Sequence, residues 1–363
     1  MRGMEYLLTF TWDFAKGLDL GFFTLRYYSL LFASGFVMGY FIMKRIFLKE
    51  GVGQEKLDSL LTYVVVATII GARLGHVFFY QWDYYRQHPV EIFKVWEGGL
   101  ASHGAAIAIV LAIYWYSRKV LKKPMLWMLD RLVITVALAG CMIRLGNFAN
   151  SEIYGAVENS SLQTVYVEPV RERLLAYYGN YLEAVEFDLR PQEEEVSDSV
   201  IYPVYDLELR FKEGLSKAQA EALTLGRMRP FLASMDKEDQ NLFIAGQSLN
   251  WKQDEARTAR VRALGVPRSP TQIYEAFAYL MIFFILFRLY QQASLANRLG
   301  FLFGLFLVLV FGFRFFIEFF KENQVAAEEG RSLNIGQTLS IPLVLAGLYF
   351  VFAAKPYSSD AKD

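Results

Sequence analysis

Long apolar stretches follow one another along most of the chain, and one long polar segment, residues 156–267, separates the fourth stretch from the fifth. A helix that crosses a membrane needs about 20 mostly apolar residues. The pattern predicts seven such helices, at residues 24–43, 57–79, 99–117, 125–148, 271–291, 298–319 and 334–353. The predicted fold class is therefore an all-α polytopic membrane protein with seven transmembrane helices.

The polar segment is mixed in charge and holds no stretch long enough to span a membrane. Residues 164–167 and 200–209 favour β-strands, and residues 217–223 favour a helix. Residues 190–195 (RPQEEE) are typical of a solvated turn. We predict a small mixed α+β domain here. The chain then divides into residues 1–155 with an N-terminal arm and four helices, the insert 156–267, and residues 268–363 with three helices and a tail.

Basic residues in the short connections indicate which way the helices run, because such residues concentrate on the cytoplasmic side. Lys44 and Arg45 follow the first predicted helix, Arg118 and Lys119 follow the third, and Lys355 follows the seventh. These groups fall on one side if the N-terminus lies outside and the C-terminus inside. The insert is then extracytoplasmic, and its arginines do not contradict this because long loops cross largely regardless of charge.

Composition narrows the function classes. Apolar and aromatic residues make up 54% of the chain, and the formal net charge is zero. A neutral chain gives no case for a nucleic-acid partner, which would call for a basic face. The one cysteine, Cys141, excludes an internal disulfide and a multi-cysteine metal site, and we expect it to be inert in its apolar helix. No cleavable signal peptide is evident, and we expect no metal and no cofactor.

Charged and hydrogen-bonding residues inside the predicted helices gather towards their outer ends. Such residues are costly in a membrane and usually mark a functional site. Arg314 and Glu318 are four residues apart and can pair on one helix face. A shared depth predicts a polar site between the helices near the outer face. The residues concerned are Tyr28, Arg73, His76, His103, Arg144, Asn147, Gln272, Tyr274, Glu275, Arg314, Glu318, Asn334 and Gln337.

Structural roles stay open for several of these residues. Arg73 can extend to the headgroups or form a structural ion pair as readily as it can bind a ligand. His103, taken alone, can be a packing residue. Arg144 and Arg314 are stronger candidates for function, because each has a hydrogen-bonding or charged partner on its own helix.

Six blocks of sequence carry a resemblance to a known family. They are residues 26–30 (RYYSL), 98–104 (GGLASHG), 142–155 (MIRLGNFANSEIYG), 269–275 (SPTQIYE), 314–320 (RFFIEFF) and 334–342 (NIGQTLSIP). Together they resemble the bacterial phosphatidylglycerol–prolipoprotein diacylglyceryl transferases. One block alone is weakly specific, but all of them in the family's order, across the whole membrane part, are highly specific.

The resemblance implies a multi-pass enzyme of the bacterial cytoplasmic (inner) membrane with an active site towards the extracytoplasmic side. Such an enzyme moves an sn-1,2-diacylglyceryl group from phosphatidylglycerol to the lipobox cysteine of a prolipoprotein signal peptide. A thioether forms and glycerol 1-phosphate is released, in the first step of lipoprotein maturation. The implied partners are phosphatidylglycerol, prolipoprotein signal peptides and the lipid bilayer, and we expect a monomer.

On the matching positions, the family's chemistry implies roles for individual residues. The thiol needs a base, and His103 is the histidine that lies both in a family block and in the polar layer. Arg144 and Arg314 are expected to bind the phosphate through the planar guanidinium fork and to act in catalysis with His103. The expected phosphatidylglycerol contacts are Tyr28, Arg144, Asn147, Tyr274 and Arg314. The expected supporting residues are Gly104, Gly146, Asn150, Glu152, Gly155, Gln272, Glu275 and Glu318.

The chain departs from the family's pattern at four positions. Ser29, Ile143 and Ser151 stand where the family usually has glycine, and Ser269 stands where it usually has histidine. The departures spare the arginines and His103, so activity is expected. Local packing must differ, and a histidine at position 269 has no counterpart here.

Other functions fit the sequence less well. A transporter or channel favours internal repeats and polar groups through the whole membrane depth, whereas the inner halves of these helices are apolar. An intramembrane protease or acyltransferase needs a nucleophile with a partner. Asp130 has no second aspartate in its helix, and Cys141 has no carboxylate near it in sequence. A lipid-binding protein without turnover stays open, and only an activity measurement separates it from the enzyme.

Overall fold

A computed structural model of the chain describes residues 8–21, 24–158, 162–197, 199–237, 239–321 and 333–357. Seven helices in this part of the chain are long and apolar enough to cross a membrane, so the predicted number is confirmed. They are α1 (Tyr27–Lys49), α2 (Gln54–Phe79), α3 (Ser102–Tyr116), α4 (Met125–Ala149), α5 (Thr271–Tyr290), α6 (Phe301–Ile317) and α7 (Ile335–Ala353).

Most helix boundaries lie within a few residues of the predicted ones, and α1 differs most. It continues through Lys44 and Arg45 to Lys49. Lysine and arginine are good helix formers, and their long side chains can carry the charge out of an apolar layer. Hydropathy alone therefore ends this helix too early.

Contacts within the chain define two compact units. The first unit comprises Met1–Phe32, Met142–Phe277 and Phe313–Leu339, and the second comprises Ala33–Cys141, Ala278–Gly312 and Ser340–Asp363. Helices α2 and α3 belong wholly to the second unit, whereas the other five contribute residues to both. The division of the chain into residues 1–155, 156–267 and 268–363 stays a prediction.

The first unit contains nearly all of the β-structure that the structure describes. Its strands are β1 (Leu8–Trp12), β2 (Gly17–Asp19), β3 (Thr24–Arg26), β4 (Leu162–Tyr166), β5 (Leu182–Ser197), β6 (Val200–Phe211), β7 (Leu242–Ile244), β8 (Asn250–Trp251) and β9 (Thr258–Gly265). The largest sheet has the antiparallel order β5-β6-β9-β7, and β8 also pairs with β9. β1 pairs with β4 in parallel, and β2 pairs with β3 antiparallel. Three helices accompany the sheets: Glu168–Tyr178, Lys217–Leu223 and Arg229–Ala233.

Residues of β6 and β9 build the core of the largest sheet. Leu207, Leu209 and Val261 are fully buried, and Leu174 from the helix Glu168–Tyr178 packs in the same core. Burial of one such side chain contributes about 1.5–3 kcal/mol. This core explains why the polar segment folds into a mixed α+β arrangement, with its strands and helix where the sequence places them.

Residues 190–195 lie within β5, so the prediction of a solvated turn there is wrong. The pairing register of β5 on β6 shifts at this point, which accommodates Pro191, a residue that cannot donate to a strand ladder. Arg190 pairs across the strands with Asp206, with 2.5 Å between Nη2 and Oδ1. Cross-strand charge pairs of this kind stabilise a strand. A local reading of the sequence misses them because the partner is remote.

In the second unit, α2 and α3 approach closely where glycines face each other. A Cβ atom on Gly75 would lie 2.7 Å from the Cα atom of Gly104, and one on Gly104 would lie 2.6 Å from the Cα atom of Gly75. Small residues allow membrane helices to pack backbone against backbone in this way. This unit also contains a short antiparallel pair, β10 (Arg298–Leu299) with β11 (Lys355–Pro356).

Arg73 of α2 holds the connection between α2 and α3. Its guanidinium donates to the backbone carbonyls of Glu91 at 2.5 Å, Ile92 at 2.9 Å and Gly98 at 2.6 Å. The side chain is almost fully buried. These bonds give Arg73 a structural role, and its partners are carbonyl groups rather than a headgroup or a carboxylate.

Asp130 of α4 caps α6 from a neighbouring helix. Its Oδ2 accepts the N–H of Gly300 at 2.7 Å and its Oδ1 accepts the N–H of Phe303 at 2.9 Å. The first N–H groups of a helix lack acceptors within the helix, so a buried carboxylate satisfies them. The next residue, Arg131, pairs with Glu50 at 3.0 Å. These two hydrogen bonds explain why an aspartate is buried at position 130 without assigning it a catalytic role.

The loop after α4 contains a strained residue at one of the family departures. Ser151 has a φ of 55°, in the left-handed region, where a residue with a Cβ atom loses about 1–2 kcal/mol. Its Oγ is buried without a hydrogen-bond partner among the residues described. A backbone of this shape explains why the family usually has glycine at this position.

We expect Ser151→Gly to raise the free energy of unfolding of the purified protein by about 1 kcal/mol, because glycine adopts a positive φ without the cost of a Cβ atom. The unfolding midpoint should rise with it. The unfolding midpoint in detergent, followed by tryptophan fluorescence, measures this. Ser234→Gly is the matched control, since Ser234 has a φ of −87° and glycine there should lower the midpoint. A midpoint for Ser151→Gly as low as that of the control would contradict the expectation.

Candidate functional site

The ends of α4 and α5 in the first unit meet through an ion pair. Nη2 of Arg144 lies 3.3 Å from Oε1 of Glu275, and Nζ of Lys321 lies 3.2 Å from the same oxygen. The side chain of Glu275 is fully buried. The structure thus brings together Arg144 and Glu275, which were predicted as site residues, and adds Lys321, which was not.

A second carboxylate continues this arrangement at the end of α6. Oε1 of Glu318 lies 3.7 Å from Nζ of Lys321 and 3.8 Å from Nε of Arg314. The predicted pairing of Arg314 with Glu318 is therefore present in the structure. Asn334 donates from Nδ2 to the other oxygen of Glu318 at 3.2 Å. We call Arg144, Glu275, Lys321, Glu318 and Arg314 the charge chain.

The two ends of the charge chain are more exposed than its three inner members. The side chain of Lys321 is 4% exposed, whereas those of Arg144 and Arg314 are 13% and 38% exposed. Three cations face two carboxylates, so these five described groups carry one net positive charge. The arginines are thus the members that a ligand can reach, and the excess charge favours an anion.

The turn before α7 keeps Glu318 in place. Oδ1 of Asn334 accepts the backbone N–H of Gln337 at 2.7 Å, which caps the start of α7. A Cβ atom on Gly336 would lie 2.7 Å from Cδ of Glu318, so only glycine allows this approach. The last predicted helix therefore contributes to the site through its first turn.

A hydrogen-bonded network joins the end of α4 to the start of α5. Asn147 donates from Nδ2 to Oε1 of Glu152 at 2.9 Å. Gln272 donates from Nε2 to the backbone carbonyl of Glu152 at 2.9 Å and accepts from the hydroxyl of Tyr166 at 3.1 Å. Asn150 also lies within 3.5 Å of the Glu152 carboxylate. Glu152 thus connects α4, α5 and the β4 strand of the insert.

Tyr28 at the start of α1 lies against α4. A Cβ atom on Gly146 would come within 2.8 Å of Cδ2 of the Tyr28 ring, so glycine is needed for this contact. The hydroxyl of Tyr28 interacts electrostatically with Glu152 and Arg144. This places Tyr28, Gly146, Glu152 and Arg144 in one neighbourhood of the first unit.

The departure at Ser269 has its own local solution. Ser269 is fully buried, and its Oγ donates to the carboxylate of Glu158. Its carbonyl accepts the N–H of Gly155 at 2.9 Å, and a Cβ atom on Gly155 would lie 2.7 Å from Cγ2 of Thr271. Glu158 also acts electrostatically on half-buried Tyr274. A carboxylate thus stands beside the position where the family usually has histidine.

A cavity of about 310 Å³ opens beside residues 150–155. Asn150, Glu152 and Gly155 line it together with two arginines of the first unit, Arg173 and Arg268. Arg173 pairs with Asp239 at 2.5 Å, and Arg268 is buried. Burial raises the pKa of Tyr154, another lining residue, so its hydroxyl stays neutral at physiological pH. The two arginines at this cavity are thus engaged by protein partners, and the five charged groups of the charge chain do not line it.

His103 belongs to the second unit, where it is the second residue of α3. Its ring is exposed and lies beside the rings of Phe79, at 4.9 Å, and Tyr80, at 5.7 Å between centroids. No hydrogen-bond partner for the imidazole occurs within the described ranges. Arg73 binds the carbonyl of Gly98, in the loop that leads into α3, and so helps to fix the start of the helix that carries His103.

The sequence pattern indicates neither a site role for Lys321 nor the backbone partners of Arg73. Lys321 follows Glu318 by three residues, a spacing that permits an ion pair on a helix. The sixth predicted helix ends at residue 319, so Lys321 lies outside the apolar stretches in which polar residues stand out. Nothing in the sequence indicates that Arg73 binds carbonyl groups.

The arrangement supplies positive charge without a metal. Within the ranges that the structure describes, no group of three or more His, Cys, Asp or Glu side chains could hold a metal ion. The expectation that the protein needs no metal stays a prediction. Arginine side chains at the ends of the charge chain can bind a phosphate group directly, since the guanidinium fork matches its oxygens.

Comparison with known proteins covers nearly the whole chain. Residues 16–353 match the family model described as prolipoprotein diacylglyceryl transferase. A phosphatidylglycerol–prolipoprotein diacylglyceryl transferase of Tolumonas auensis is 35% identical over 331 residues, which cover 91% of this chain and 92% of that protein. The enzyme of the same name from Porphyromonas gingivalis is 34% identical, over 95% of this chain and 94% of that protein. The one from Chloroherpeton thalassium is 30% identical, over 94% and 92%. The chain belongs to the prolipoprotein diacylglyceryl transferase family.

Proposed function

We propose that this protein transfers an sn-1,2-diacylglyceryl group from phosphatidylglycerol to the lipobox cysteine of prolipoproteins. Family membership supplies the reaction class. The observation that carries the proposal is the position of Arg144 and Arg314, each held at a buried carboxylate and each more exposed than that carboxylate. Two arginines so placed offer a binding site for the phosphate of an anionic lipid.

The reaction exchanges one bond for another. The thiolate sulfur attacks the glyceryl carbon that carries the phosphate ester, and a C–S bond forms. The C–O bond between that carbon and the phosphate oxygen breaks, with its electron pair on the oxygen. The thiol proton passes to a base. A thioether and glycerol 1-phosphate result, and the balance requires no oxidant, reductant or cofactor.

The arginines act on the charge that develops on the leaving phosphate. A phosphodiester carries one negative charge, and the phosphomonoester that leaves carries nearly two at neutral pH. Donors placed in advance where this charge grows contribute about 10²–10³ in rate each. Arg144 and Arg314 come from α4 and α6, so they can hold the phosphate from two sides.

His103 is the proposed base for the thiol proton. Its ring is exposed, and the described part of the chain offers it no hydrogen-bond partner, so a substrate can reach it. Neutral imidazole accepts a proton near physiological pH. Tyr28, Asn147 and Tyr274 complete the proposed lipid contacts.

The proposed location is the cytoplasmic (inner) membrane, with the N-terminus outside, the C-terminus inside and the site on the extracytoplasmic side. An odd number of crossing helices would leave the termini on opposite sides, and the seven candidate helices of the described residues support this arrangement. Basic residues in the connections after α1 and α3 support the orientation. The protein is proposed to act as a monomer.

Purified right-side-out membrane vesicles that contain the protein and phosphatidylglycerol should modify an added, membrane-impermeant lipobox peptide. Mass spectrometry should show a peptide gain of one diacylglyceryl unit, with glycerol phosphate released. Inverted vesicles should leave the peptide unmodified until detergent is added. No transfer in detergent from phosphatidylglycerol would refute the proposed activity, whereas transfer by inverted vesicles alone would refute only the orientation.

Arg144→Lys should lower the rate of transfer by about 10²-fold, because lysine keeps the charge but loses the bidentate fork. The same peptide assay measures the rate, and size-exclusion chromatography checks that the variant is folded. Arg118→Lys is the matched control, since Arg118 belongs to the second unit and stacks over the Tyr114 ring there. Wild-type turnover in Arg144→Lys would exclude the phosphate-binding role.

His103→Gln should lower the rate at neutral pH by about 10²–10⁴-fold, because the thiol loses its base. The loss should shrink as the pH rises through about 8.5, where a free cysteine thiol ionises without help. Rates from pH 6 to 9.5 would be compared with those of His88→Gln, whose imidazole lies near a backbone carbonyl in a loop. A His103→Gln variant with near-normal turnover, or with a deficit that stays constant over pH, would be incompatible with a general base.

A further inference from the structure

Lys321 is the most buried cation of the charge chain, although it lies just past the end of the sixth predicted helix. We propose that Lys321 is a positioning residue that offsets Glu275 and Glu318, so that Arg144 and Arg314 keep N–H groups free for the phosphate of an anionic phospholipid. The inference rests on the proposed function of this site, and it assigns Lys321 no contact with the lipid.

Burial gives the first argument. The Lys321 side chain is 4% exposed, and an ammonium group in such a place is costly unless carboxylates offset its charge. Nζ has two of them, Glu275 at 3.2 Å and Glu318 at 3.7 Å. An ammonium is a compact charge with three donors, so one lysine can serve both carboxylates.

Sharing of oxygen atoms gives the second argument. Lys321 and Arg144 both approach Oε1 of Glu275, at 3.2 and 3.3 Å. Lys321 and Arg314 both approach Oε1 of Glu318, at 3.7 and 3.8 Å. A carboxylate oxygen that serves two cations holds each of them less strongly. Without the lysine, each carboxylate could draw its arginine into a bidentate pair, the geometry that a phosphate also requires.

Charge balance gives the third argument. With Lys321 the five groups carry one net positive charge, which matches the single negative charge of a phosphodiester. Without it they carry none, and a bound phosphodiester would leave an uncompensated negative charge among buried groups. Interactions between charges are strong where water is scarce, so this difference should affect lipid affinity.

The test compares KM and kcat for phosphatidylglycerol in the peptide assay, in mixed micelles with a neutral detergent. Lys321→Met should raise KM and lower kcat by about 10-fold each, which is less than the loss of a direct donor. Lys321→Arg should restore most of both, because it returns a cation to the two carboxylates. Lys252→Met is the matched control: Lys252 pairs with Glu208 in the insert, so its loss should leave both constants unchanged.

A double variant keeps the test decisive if Lys321→Met does not fold. Lys321→Met with Glu318→Gln removes one charge of each sign and restores the single net positive charge of the charge chain. This double variant should therefore fold, and its KM should lie closer to that of the wild type. The inference would be overturned if folded Lys321→Met had the KM and kcat of the wild type, or if Lys321→Arg failed to restore them. The proposed function would still stand in either case, provided that the wild-type protein transfers the diacylglyceryl group. A double variant that folds with a KM raised about 10-fold or more over that of the wild type would also overturn the inference, and this comparison does not need the single variant. Absence of transfer by the wild type would remove both.

Discussion

A carboxylate that is cut off from water must be offset by cations, and Glu275 and Glu318 impose this requirement on the first unit. Arg144 comes from α4, Glu275 from α5, Arg314 from α6, and Asn334 from the turn before α7. The helix ends are therefore held in register by shared charge as well as by apolar packing. Because apolar side chains alone give little specificity between membrane helices, the charge chain decides which ends meet.

The elements that depend on long apolar stretches could be predicted from the sequence, because a membrane fixes the length and composition of a crossing helix. All seven helices follow from this rule. The mixed character of the insert follows instead from the local strand and helix patterns at residues 164–167, 200–209 and 217–223. Residues 190–195 could not be predicted in the same way. Their turn-like composition is overridden by pairing with β6, where Asp206 supplies a remote partner for Arg190.

The site could be predicted in part, for a similar reason. Arg314 and Glu318 lie on one helix, so their spacing shows the contact, whereas the contact of Arg144 with Glu275 joins residues far apart in the chain. Polarity inside an apolar stretch was enough to select all of these residues. Lys321 lies just past such a stretch, where lysine is ordinary, and only the fold shows that it is buried. The same limit applies to Arg73, whose partners are backbone carbonyls that no sequence pattern displays.

The capping of α6 by Asp130 also bears on how the protein is made. The carboxylate emerges from the ribosome with α4, whereas Gly300 and Phe303, which satisfy it, are 170 and 173 residues further along the chain. While the insert and α5 are being synthesised, Asp130 therefore lacks the backbone N–H groups of Gly300 and Phe303 as hydrogen-bond donors. An aspartate costs about 2.5–3.5 kcal/mol at the centre of a membrane helix and less near an end, where Asp130 lies. The contacts that satisfy Asp130 can therefore form only after α6 has been made, so the cap ties the completion of α4 to one of the last helices of the chain.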